Sequence, residues 1–119
     1  MIPWFWAFVC TQIIEMPIYR FALARIATPP KRAWLVAFGA SALTHPIVWL
    51  VFPRLFHRWI EADDRGYWWM IAAAEAFAVI VEALWLRWFG LRRALVWSIV
   101  ANGASFGLGS LTRALWGVP

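Results

Sequence analysis

The chain has 119 residues, of which 64% are hydrophobic and only 14% charged, with a net charge of +5. A soluble domain is roughly half apolar and a quarter charged, so this composition excludes one and points to an integral membrane protein. The single cysteine excludes an internal disulfide and a metal site built on several thiolates, and the basic balance fits anionic lipid headgroups, with no nucleic acid among the expected partners.

Four apolar segments of about 20 residues use nearly the whole length. The first, IPWFWAFVCTQIIEMPIYRFAL, has no basic start, is interrupted by Gln12 and Glu15, and is read as a retained helix rather than a leader. Gln12, Glu15 and Tyr19 recur at i, i+3 and i+7 on one face, and Pro17 frees the carbonyl of Ile13 and predicts a kink. The connection ARIATPPKR holds a Pro-Pro pair that stops the helix. A second segment, Ala33 to Phe52, carries Ser41 and His45 at i, i+4 with Pro46 next to the histidine. Beyond Pro53, Leu55, Phe56, Trp59 and Ile60 fall on one side and Arg54, His57, Arg58 and Glu61 on the other, which predicts a short interfacial helix between membrane helices two and three.

Asp63 and Asp64 precede the third segment, Tyr67 to Phe89, and are placed to cap its start. Within it, Glu75 and Glu82 are seven apart, which brings them to within about 20° of one stripe and roughly 10 Å of each other along the axis. Lipid is a poor environment for that stripe, so other helices are expected to meet it with polar groups. Gly90 among Arg87, Arg92 and Arg93 makes a tight turn into the fourth segment, Ala94 to Leu115, where Ser98, Asn102, Ser105 and Gly109 form a small and polar stripe. Gly103 and Gly107 form a GxxxG pair, a candidate for close helix packing within or between chains.

These segments predict an all-α fold: one transmembrane domain spanning 1–119, a bundle of four helices in up-down order. Arg20, Arg25, Lys31, Arg32, Arg87, Arg92 and Arg93 lie at the first and third connections, against Arg54, Arg58, Arg65 and Arg113 at the other end. That bias predicts both termini on the outer side of a membrane, taken to be a bacterial inner membrane.

Counted inward from the basic end at about 1.5 Å per residue, Glu82 lies about 8 Å deep, Glu15 about 10, Asn102 about 14, and His45 and Glu75 about 18. The matching depths predict a Glu15 and Glu82 pair, a His45 and Glu75 pair, and Asn102 between them, all facing the interior. Glu15, His45, Glu75, Glu82 and Asn102 are the candidate ion- or proton-binding residues, and a divalent metal cation held by Glu15, Glu82, His45 and Glu75 is an alternative occupant. Four short helices enclose little volume, so the leading expectation is a small transporter or channel that works as a homo-oligomer. Two rivals stand beside it. One is a structural subunit of a larger membrane complex, and the other an intramembrane metal-dependent hydrolase, for which neither H-E-x-x-H nor E-x-x-H is present. No catalytic residue is identifiable from the sequence.

Overall fold

A computed structural model describes residues 2–117, with side chains from Trp4 onward. Its elements are α1 (Ile2–Ala24), α2 (Pro30–Leu50), α3 (Phe52–Leu55), α4 (His57–Ala62), α5 (Asp64–Trp88) and α6 (Ala94–Trp116). No strand occurs among the described residues. The four long helices, α1, α2, α5 and α6, are each long and apolar enough to cross a membrane.

They pack in a ring, α1 against α2 and α6, and α5 against α2 and α6. Neighbours run antiparallel, as the contacts show: Arg20 sits over Trp34 near one end of the α1–α2 pair, and Phe8 meets His45 near the other. Both helix prolines, Pro17 and Pro46, lie inside unbroken helices. Loss of one backbone donor is tolerated in an otherwise complete helix whose neighbours fix it in place.

Side chains are distributed in the reverse of a soluble protein. The interior holds small residues such as Ala22, Ala33, Ala37, Ala40 and Ala101, with Tyr19, Leu23, Leu86 and Leu91 filling the gaps between helices. Large apolar side chains, among them Ile13, Leu35, Trp68, Trp69 and Leu84, point outward. Such a surface is stable only against lipid or another apolar partner. Burial along α6 stops at Asn102, and no residue of that helix beyond it is buried. The bundle is therefore tightest toward the end that carries the α1–α2 and α5–α6 connections.

The expected interfacial helix is two short helices. The chain leaves α2 through Val51 in a helical conformation, and Pro53 lacks the N–H that would have bonded the carbonyl one turn back. A second break falls at Phe56, with φ −100° and ψ 10°. Asp63 then accepts from Arg65 N at 3.2 Å and caps α5. Gly66 lies where α4 folds back on α5, and a Cβ there would stand 2.0 Å from the Trp59 carbonyl oxygen. Only glycine permits that approach.

Candidate functional site

The core between the four long helices is polar where the helices converge. Glu15 comes from α1 and Glu82 from α5, both about 1% exposed. Ser41 Oγ donates to Glu15 Oε1 at 2.5 Å and Ser105 Oγ to Glu15 Oε2 at 2.5 Å. Tyr19 Oη donates to Glu82 Oε1 at 2.6 Å, Thr44 Oγ1 to Glu82 Oε2 at 2.6 Å, and Asn102 Nδ2 to Glu82 Oε1 at 3.1 Å. The two carboxyl groups are joined through these donors: Thr44 Oγ1 also lies 3.5 Å from the carbonyl of Ser41, which serves Glu15, and Ser105 Oγ also lies 3.2 Å from the carbonyl of Asn102, which serves Glu82. All four carboxyl oxygens therefore meet a donor, and every long helix contributes at least one partner.

Helical spacing explains how these side chains meet. Ser41 and Thr44 are one turn apart on α2 and serve different acids, Ser41 the one on α1 and Thr44 the one on α5. Glu15 and Tyr19 likewise recur at i, i+4 on α1. On α6, Ser98, Asn102 and Ser105 follow the predicted stripe. Ser98 Oγ donates to the Val79 carbonyl at 2.7 Å, and Asn102 Nδ2 also reaches the Ser98 carbonyl at 3.0 Å. Ser98 thus ties α6 to α5, and its carbonyl steadies the Asn102 amide that faces Glu82.

The other candidates lie elsewhere. His45 is on α2 one residue beyond Thr44, and the roughly 100° turn between them carries it away from Glu82. Its ring lies among Trp4, Phe8 and Trp49, with centroids 6.0, 5.3 and 5.9 Å away, and its Nε2 is buried without a hydrogen-bond partner. Glu75 is half-buried and makes no hydrogen bond or ion pair among the described residues. The expected His45 and Glu75 pair does not form.

That separation bears on the metal alternative. Glu15, Glu82, His45 and Glu75 do not converge, and no three His, Cys, Asp or Glu side chains among the described residues gather where a metal ion would bind. The groups that do converge on Glu15 and Glu82 are hydroxyls and an amide N–H turned donor-first, which compete with a cation for the same oxygens. Gly103 and Gly107 are exposed on α6, and a Cβ at either would meet nothing within 4 Å. Among the described residues the GxxxG pair therefore makes no close helix contact.

Two site residues escape a sequence reading. Tyr19 stands on the visible Gln12, Glu15 and Tyr19 stripe, but an aromatic residue near a membrane edge reads first as an interfacial anchor. Thr44 has no signal beyond its i+3 spacing from Ser41, and threonine is common in membrane helices. Comparison with known proteins adds no identity to this geometry: no family model matches the chain, and neither curated proteins nor solved structures give a match.

Proposed function

We propose that this chain is a small integral membrane transporter or channel in which Glu15 and Glu82 form a proton-exchange site. The reading rests on one observation: two carboxyl groups buried in one hydrogen-bonded network inside a bundle of apolar helices, each oxygen held by a protein donor. Two acids buried in one network at bilayer depth cannot both carry charge without a counterion, so the network holds at least one proton. The pair is thus suited to holding and exchanging a proton, and far less to holding a metal ion.

Access is favoured from the end away from the basic connections. Ser105, which bonds Glu15, is half-buried, and α6 loosens beyond Asn102. The basic residues at the first and third connections favour placing that tight end in the cytoplasm and both termini outside, in the inner membrane of a bacterium. A homo-oligomer would supply the enclosure that four helices lack.

A second reading, a structural subunit of a larger membrane complex, is favoured by Gly103 and Gly107 standing open on the outer surface. Proton flux separates the two. Proteoliposomes loaded with a pH-sensitive dye and driven by a potassium diffusion potential should acidify faster with the parent protein than without it. Glu15→Gln/Glu82→Gln, folded by circular dichroism, should abolish the difference. Flux that is absent in the parent, or unchanged in the double variant, removes the proton site and leaves the structural subunit.

A further inference from the structure

The outer surface of the α1–α2 pair holds a groove of about 460 Å³, lined on α1 by Phe8, Val9, Gln12, Ile13, Met16 and Pro17. Trp34 and Phe38 line it from α2. Its floor is closed by the Gln12 amide, whose Nε2 donates to the Phe38 carbonyl at 3.2 Å. The α1 residues fall on two rows at i+4 spacing, and the row through Phe8, Gln12 and Met16 continues to Arg20.

Arg20 ends the groove. Its guanidinium lies 5.8 Å from the centre of the Trp34 ring, which is itself part of the lining. Its Nε is buried and bonds nothing, and no acid pairs with it among the described residues. An unpaired guanidinium in this position lacks a bidentate anionic partner, and phosphate is the anion whose geometry fits it best.

The dimensions agree with a lipid. From Phe8 to Arg20 the helix rises about 18 Å, close to the roughly 15 Å of hydrocarbon in one leaflet, half of a core about 30 Å thick. Arg20 would then stand at headgroup level on the same side as Arg25, Lys31 and Arg32, and the lining would lie at acyl-chain depth. We propose that the α1–α2 groove is a binding site for one anionic phospholipid, with an acyl chain along Phe8, Gln12 and Met16 and the phosphate on Arg20. The site is independent of the carboxyl pair and of any proton flux.

Thermal unfolding of the purified protein in non-ionic detergent, followed by tryptophan fluorescence, tests this. Phosphatidylglycerol should raise the midpoint at lower concentration than phosphatidylcholine, and glycerol phosphate without acyl chains should have no effect. Arg20→Gln should raise the phosphatidylglycerol needed by about fivefold, the effect of one basic residue near an anionic headgroup, whereas Arg20→Lys should retain most of the preference. Arg113→Gln, which removes a cation at the opposite end, should leave it unchanged. Val9→Trp, which fills the groove, should weaken protection by both lipids, and native mass spectrometry should show one retained phospholipid lost in this variant. The proposal is overturned if Arg20→Gln matches the parent, if Arg113→Gln shifts the response equally, or if glycerol phosphate protects as well as the lipid. It is also overturned if Val9→Trp changes oligomer size but not lipid dependence, which would make a second copy of the chain the occupant.

Discussion

Replacing Glu82 by Leu removes the acceptor on which three helices converge. Tyr19, Thr44 and Asn102 donate to it at 2.6, 2.6 and 3.1 Å. Each loses something different. Asn102 retains the Ser98 carbonyl at 3.0 Å, whereas Thr44 falls back on the Ala40 and Ser41 carbonyls at 3.5 Å, beyond good hydrogen-bond range. Tyr19 is fully buried, and its hydroxyl then keeps only the 3.3 Å contact that it accepts from the Asn102 amide, with no acceptor for its own proton. Buried hydrogen bonds contribute about 1 kcal/mol each in soluble proteins, and about 0.6 on average between membrane helices. With the three bonds to Glu82 removed and only weaker replacements left for two of the donors, Glu82→Leu should cost about 2 kcal/mol. Glu82→Gln keeps an oxygen for Tyr19 and Asn102 and offers its amide to the Thr44 hydroxyl, so its cost should stay below about 1 kcal/mol. Unfolding in mixed micelles of increasing dodecyl sulfate, read by helix content, measures both. A Leu variant as stable as the parent, or no difference between Leu and Gln, would refute the view that this network holds the helices together.

Four glycines give further tests in the same assay. Gly66→Ala places a Cβ 2.0 Å from the Trp59 carbonyl oxygen, so it should displace α4 from α5 and destabilise by at least about 2 kcal/mol. Gly39→Ala meets the Trp85 ring at 2.6 Å, a side chain able to move but only by straining its 2.9 Å bond to the Val36 carbonyl, and a loss of about 1 kcal/mol is expected. Gly103→Leu/Gly107→Leu meets no obstacle within the chain, so monomer stability should hold. A change confined to oligomer size on gel filtration would identify an interface between chains, and a loss of monomer stability would contradict the open surface.

Composition and segment length were enough to predict the four long helices, because a span near 20 apolar residues leaves little freedom in how it folds. The burial of Glu15 and Glu82 in one polar layer was also legible, since depth counts along helices of known rise bring them level. Azimuth was not. His45 and Glu75 share a depth, but which side of a helix faces which neighbour depends on packing, and the ring of helices turns His45 toward Trp4 and Phe8. The split of the interfacial helix at Phe56 has the same origin: the apolar pattern from Leu55 to Ile60 is continuous, and the break answers to the fold-back of α4 onto α5. Thr44 and Tyr19 show a further limit, because a donor becomes part of a site only when the acid it serves arrives from another helix.

Glu75 and Glu82 occupy one stripe of one helix, yet the structure predicts opposite consequences for their loss. Glu82 is held by three donors, while Glu75 is half-buried and makes no bond among the described residues. In the detergent-unfolded chain the Glu75 carboxyl reaches water. In the bundle it gives up part of that hydration and gains no hydrogen bond in exchange, an unfavourable trade of about 1 to 3 kcal/mol for a polar group. Glu75→Leu should therefore raise stability by about 1 kcal/mol, the lower figure reflecting incomplete burial, where Glu82→Leu lowers it. If proton flux into liposomes falls in this more stable variant, Glu75 acts through its chemistry, as a step between the end of the bundle away from the basic connections and the carboxyl pair one layer deeper. A Glu75→Leu variant as unstable as Glu82→Leu would show instead that Glu75 has a bonding partner in the assembled protein, supplied by a second chain.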